Sequence, residues 1–221
     1  MAPAAPLPSY TPGEEIANSL THGIGAILAI AGLAVLTAFA ALYGTAGHIA
    51  ASAVFGGTLI FSFTTSTLYH AIPLLRARQV LRALDHSAIF LLIAGTYTPL
   101  LLISIGGVTG WTMFSIIWSF AVAGIIARLL LKGRHHGFVV ACYLVMGWAA
   151  VFIIQPLINN LEGGGLALLV GGGLAYTVGV VFYKWKQLRY SHAVWHCFVL
   201  TGSTLHFFAV LIYVLPGPAT A

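Results

Sequence analysis

Ser191-His192-Ala193-Val194-Trp195-His196 opens the last long apolar run of the chain, which continues to Leu215. The run is long enough to cross a hydrocarbon core of about 30 Å as an α-helix. Four residues along a helix advance about 400° and about 6 Å, so His192 and His196 project from one face, one above the other. An imidazole in hydrocarbon surroundings is costly unless it is paired, faces a bundle interior or binds a metal. The pair is therefore a candidate chelate, although hydrogen bonds to a neighbouring helix would account for it equally well.

The rest of the chain sets the solvent in which that pair must be read. Mean hydropathy is +1.00, and only 6% of the 221 residues are charged. A soluble domain carries about 25% charged residues, so no water-solvated surface can be built from this sequence and the chain is an integral membrane protein. The net charge of +5 does not signal nucleic-acid binding, because the basic residues are few, sit at the ends of apolar runs and form no basic-aromatic patch. Cys142 and Cys197 both lie inside apolar segments, which suits packing rather than a disulfide framework. The first apolar run is too long for a signal-peptide core and has no basic segment before it, so it reads as a retained helix.

Residues 1–13 are rich in Pro and Ala and lack periodicity, which predicts a disordered tail. About seven membrane-length stretches follow, near Ile16–Tyr43, His48–His70, Leu84–Ile105, Trp111–Leu131, Phe138–Leu157, Gly165–Tyr183 and Ser191–Leu215. The expected architecture is an all-α bundle over residues 14–215, with a short external tail at 216–221. Arg76, Arg78 and Arg82 fall between spans two and three, Arg128, Lys132 and Arg134 around the four–five connection, and Lys184, Lys186 and Arg189 between six and seven. Seven spans put all of these on one side, so the positive-inside rule places the N-terminus in the cytoplasm and the C-terminus outside. Gly171, Gly172, Gly173 and Gly179 read as a small-residue packing face of span six, and Thr98-Pro99 predicts a kink in span three.

Orientation then brings four polar groups to one depth. Span two runs inward and ends at His70, span three starts outward with Asp85, and span seven starts outward with His192 and His196. Three imidazoles beside a carboxylate make a plausible catalytic zinc site, with a fourth position open to water. Asp85, the single Asp of the chain, is also explained as an N-cap or first-turn acid of span three. Ser66 lies one turn deeper than His70 on the same face, either bonded back to its own helix or donating to the water or substrate at the site. Glu15, Asn18 and His22 recur at roughly helical spacing at the cytoplasmic end of span one, placed to support the ligands from behind. His86 points about 100° away from Asp85 and reads as an interhelical bonding group. His206 is about 15 Å deeper than His196 by helix rise, too far to share its metal.

Ser66-x3-His70, Asp85 in span three and His192-x3-His196 in span seven together resemble the pattern of the progestin and adipoQ receptor family, and most closely its bacterial branch, the hemolysin III proteins. Glu15-x2-Asn18-x2-Thr21-His22 resembles a further motif of that family. The resemblance runs from Glu15 to the end of span seven. It implies zinc held by His70, His192 and His196, Asp85 binding the zinc-bound water, kinship with the alkaline ceramidases in a wider group of seven-helix metal hydrolases, and a multi-pass protein of the bacterial plasma membrane.

The leading functional expectation is a zinc-dependent hydrolase acting on an amide or ester bond of a lipid-like substrate, with membrane lipids as its surroundings. Its rivals are a non-catalytic receptor or regulator in which zinc ties span two to span seven, and a hemolysin-type membrane-perturbing protein. A pore ranks low because no ring of polar residues runs through the bundle. A transporter is disfavoured by the lack of a repeat or of paired broken helices, and a retinal protein is excluded because span seven has no Lys for a Schiff base. Nothing in the sequence sets an oligomeric state.

Overall fold

A computed structural model describes residues 7–131 and 135–216. Among these, seven helical spans are long and apolar enough to cross a bilayer: Pro12–Tyr43, Ala46–Ala71, Leu75–Ile105, Gly107–Leu130, Gly137–Asn160, Gly163–Lys184 and Ser191–Val214. Large apolar side chains such as Ile27, Leu130 and Phe152 are 69, 76 and 83% exposed. An outer surface of this kind is stable only against lipid. Lys132 and Arg134, used above for orientation, lie outside the described residues, as do 1–6 and 217–221.

Helix α1 (Pro12–Tyr43) begins earlier than the hydropathy predicts. Thr11 caps it reciprocally with Glu14: the Glu14 N–H donates to Thr11 Oγ1 at 3.3 Å and the Thr11 N–H to Glu14 Oε2 at 2.9 Å. Pro12 follows in the first turn, where its missing N–H costs nothing. The tail expected over 1–13 is thus shortened at its inner end: residues 12 and 13 are helical, and Tyr10 packs against the bundle. Helix α2 (Ala46–Ala71) starts at Thr45, whose N–H and hydroxyl meet His48 Nδ1 at 3.2 and 2.8 Å.

Helix α3 (Leu75–Pro99) departs most from expectation, because it begins at Leu75 rather than near Leu84. Arg76, Arg78 and Arg82 sit on its first turns and not in a connection, since long aliphatic stems let arginines continue a helix through the interface while their heads seek polar surroundings. Asp85 is consequently about 15 Å inside the helix by rise. The N-cap role open to it in the sequence is removed. Beyond Pro99 the chain continues as a π-helical turn, Leu100–Ile105, closed by the Gly106 N–H on Leu101 O at 2.9 Å. Gly106 and Gly107, at φ +62° and +54°, then reverse the chain into helix α4 (Gly107–Leu130) in a conformation that glycine adopts without a Cβ penalty.

The fifth span is interrupted. Helix α5 (His136–Gly147) tightens into a 3₁₀ segment, Trp148–Ile153, before helix α6 (Ile154–Asn160). Tyr97 of α3 splices the break: its hydroxyl donates to Gly147 O at 2.7 Å and accepts from the Ala150 N–H at 2.8 Å. Inside a bilayer no water is at hand to satisfy backbone groups freed by a change of helix type. Helix α7 (Gly163–Lys184) and helix α8 (Ser191–Ala209), which ends in a second π turn, Val210–Val214, complete the bundle.

Helix α1 lies against α2 and α8, α2 also against α3, α3 against α4, and α7 against α8. One apolar cluster includes Leu36, Phe55, Phe63 and Val210; a second includes Phe90, Leu101, Ile117 and Met146. The expected small-residue face of α7 is used at Gly179, where a Cβ would meet Trp195 and Phe198, and at Gly172, where it would meet the His206 ring. Such close approach supplies dispersion contacts where lipid offers no hydrophobic drive between helices. The chain is a seven-helix multi-pass membrane protein.

Candidate metal centre

The last turn of α2 and the first turns of α8 bring His70, His192 and His196 together. One ring nitrogen from each lies within 4.8 Å of the other two. The ring centroids stand 5.1 Å apart for His70 and His192, 5.2 Å for His70 and His196, and 4.6 Å for His192 and His196.

Helix α1 holds two of the three rings by their Nδ1 atoms. His70 Nδ1 is 2.6 Å from Glu15 Oε2, and the same carboxylate pairs with Arg78. His196 Nδ1 is 3.1 Å from Asn18 O and 3.2 Å from Thr21 Oγ1, whose own hydroxyl donates to Ala17 O at 2.8 Å. A carboxylate and a peptide carbonyl can only accept, so Nδ1 of both imidazoles carries the proton and each Nε2 keeps a lone pair. The Nε2 of His70 is buried without a hydrogen-bond partner, as is Nδ1 of His192. Imidazoles oriented from behind by a carboxylate or carbonyl, with bare nitrogens converging, are what a metal held by nitrogen ligands requires, and such ligands suit zinc.

Tyr190 starts α8 in the left-handed region, at φ +59°. That conformation costs about 1–2 kcal/mol for a residue with a Cβ. It is held by the Tyr190 N–H donating to Glu14 Oε1 at 3.1 Å, so the caps of α1 and α8 share one carboxylate. Helix α1, which carries the supporting groups, and helix α8, which carries two of the three histidines, are thereby fixed to each other at the basic end.

A cavity of about 220 Å³ extends from the histidines into the bundle, with Ser66, Asp85, His22, His192 and His196 in its lining. Asp85 Oδ2 is 3.6 Å from His86 Nδ1. Ser66 is 1% exposed, and its hydroxyl lies towards the Asp85 carboxylate without closing a hydrogen bond to it. Beyond these groups the lining is mostly apolar, with Leu92, Ile93, Leu100, Leu157 and Val199, and takes in Thr96, Tyr176 and His206 as well.

Of the residues singled out by the sequence, Glu15 and Asn18 stand directly behind the cluster. His22 stacks on His196, with centroids 3.5 Å apart, and lies outside the converging set. His86 Nδ1 donates to Arg82 O at 2.9 Å within its own helix, while the Tyr143 hydroxyl donates to the His86 carbonyl at 2.6 Å. His206 bonds across to Leu169 O of α7 at 3.1 Å and lines the same cavity far from the cluster. Three residues at the site were not singled out for it by the sequence: Arg78, read there only for orientation, which shares Glu15; Tyr69, whose ring lies 4.6 Å from His70; and Tyr10, which packs on His70 and His192. An aromatic just ahead of the Thr11-Pro12 helix start was the one available hint.

Seven spans with a histidine cluster at their basic end define a class of membrane protein, and comparison with known sequences places the chain within it. Residues 10–207 match the family model described as haemolysin-III related, and the chain belongs to that family. It is 48% identical to the Bacillus cereus Hemolysin-3 over 203 residues, covering 92% of this chain and 93% of that protein. It is 44% identical to a Hemolysin-3 homolog of Bacillus subtilis strain 168, covering 95% and 98% respectively. A human relative, monocyte to macrophage differentiation factor, is 30% identical over 211 residues, covering 93% of this chain and 86% of that one. The kinship with the progestin and adipoQ receptor group and the setting in a bacterial membrane, both expected from the motifs, follow from these matches.

Proposed function

We propose that the protein is a zinc-dependent hydrolase of an amide or ester bond in a lipid-like substrate. What supports this reading is the fixing of His70 by Glu15 and of His196 by the Asn18 carbonyl, in a cluster where one ring nitrogen of each of the three histidines lies within 4.8 Å of the others. Those three imidazoles would hold the zinc. Bound there, the ion supplies a Lewis acid that polarises a carbonyl and lowers the pKa of a water towards about 7.

The remaining chemistry belongs to the chain. Asp85, the one carboxylate in the cavity lining, orients the attacking water and takes its proton on Oδ as the carbonyl carbon is attacked. The same proton then passes to the departing amine or alkoxide, which regenerates the carboxylate. The Ser66 hydroxyl donates to the carbonyl oxygen as negative charge builds on it. The apolar walls beyond hold a hydrocarbon chain and keep bulk water from the reacting atoms.

The test compares wild type with Asp85→Asn at matched zinc content on ceramide-like and acyl-ester lipids. Asn keeps the shape but cannot take the proton, so turnover should fall by roughly 10²–10⁴-fold while zinc remains. Zinc in both variants and turnover in neither would assign the metal to a structural role.

A further inference from the structure

Tyr10 precedes the first span, yet its ring lies 5.2 Å from that of His192 and 5.7 Å from that of His70. It is held there from the C-terminal side, where Thr11 caps α1 and Glu14 joins that cap to the Tyr190 N–H of α8. Tyr69 lies 4.6 Å from His70 and Tyr183 lies 5.9 Å from His192, so three phenol rings stand around the basic end of the cluster. Tyr10 is half-buried. The cavity shows the opposite relation to its surroundings. None of residues 7–11, 72–74 or 185–190 lines it, whereas Val151, Ile154 and Val170 do, and these are 58, 44 and 48% exposed on the lipid-facing surface.

We propose that Tyr10 seals the histidine cluster on its cytoplasmic side and so determines which molecules reach it: those dissolved in the bilayer enter through the lateral side of the cavity, and charged, water-soluble molecules from the cytoplasm are excluded. The aromatic ring is what seals, since its area covers the imidazoles, and the hydroxyl is dispensable. The inference names the substrate route for the hydrolase reading and rests on it only for the word substrate. The seal itself needs neither metal nor turnover.

Access can be read by thiol labelling of Ser66→Cys in a chain carrying Cys142→Ser and Cys197→Ser, in inverted membrane vesicles. A charged methanethiosulfonate should label this chain slowly, equally slowly with Tyr10→Phe, and at least tenfold faster with Tyr10→Ala. An uncharged, membrane-soluble maleimide should label all three alike, which also shows that the bundle is intact. Equal labelling by the charged reagent with Tyr10 and Tyr10→Ala overturns the seal, and so does a Tyr10→Phe chain that labels like Tyr10→Ala. A rise with both reagents means a loosened bundle and counts against it too. Failure of the uncharged reagent on all three overturns the lateral route. Run on chelator-treated vesicles, so that no metal masks the introduced thiol, the rates depend on neither zinc nor hydrolysis, and the two readings fail separately.

Discussion

Glu15 of α1 and His70 of α2 meet at 2.6 Å, 55 residues apart in the chain, with Arg78 of α3 on the other side of the same carboxylate. The contact gives a polar reason for three helices to converge at one point. Glu15→Gln keeps the shape but weakens the hold on the His70 Nδ1 proton and loses the ion pair. Zinc affinity should fall by about 10–100-fold, the usual cost of removing a partner behind a metal ligand. Competition titration with a chelator of known affinity measures it, and an unchanged affinity would make the pair purely architectural.

Elemental analysis of the purified protein should find about one zinc per chain, as three imidazoles bind one ion. Occupancy should drop strongly with His70→Ala, His192→Ala or His196→Ala. His206→Ala should leave it nearly intact, because the His206 ring is tied to Leu169 O away from the cluster. Comparable loss from His206→Ala would mean that the wrong histidines have been chosen.

Orientation is open to a direct check. A reporter fused after Ala221 should read as external and one inserted at 72–74 as cytoplasmic, given the side on which the Lys and Arg residues fall. The reverse pattern would turn the cluster to the outer face and remove the cytoplasmic sense of the seal.

Tyr97→Phe deletes the one hydroxyl that both accepts from Ala150 N and donates to Gly147 O. The Gly147 carbonyl and the Ala150 N–H then keep only the strained bonding of the 3₁₀ turn, and each underbonded group in the bilayer costs about 1–3 kcal/mol. A thermal or chemical denaturation series in detergent should therefore show a loss of about 2 kcal/mol or more. A loss within about 0.5 kcal/mol would show that the 3₁₀ segment holds itself.

The histidine cluster was legible in the sequence because two signals met. A four-residue spacing put His192 and His196 on one face, and the alternation of basic connections put His70 at their level. The placement of Asp85 was legible only in part. Apolar content located the hydrocarbon-spanning part of α3, whereas its true start lies among arginines that hydropathy reads as a connection. A capping role for Asp85 thus stood open beside its role at the site, whereas the residue lies in the helix interior. Tyr10 was hidden for a different reason: it stands outside every periodic segment, and only the capping of α1 by Thr11 and Glu14 carries it onto the imidazoles. The interruption of the fifth span was equally silent, since Trp148–Ile153 is as apolar as its flanks and its stabilising partner is 53 residues away.

That interruption also changes the angular phase of the fifth span. A 3₁₀ segment turns about 120° per residue against about 100° in an α-helix, so six residues advance the stripe by roughly an extra third of a turn. A lipid-exposure or alanine scan along 136–160 would not fit a single helical wheel. Its sensitive positions should follow one phase up to Gly147 and resume, rotated, from Ile154. Any register inferred for the outer half by extending the inner half would name the wrong residues as facing lipid.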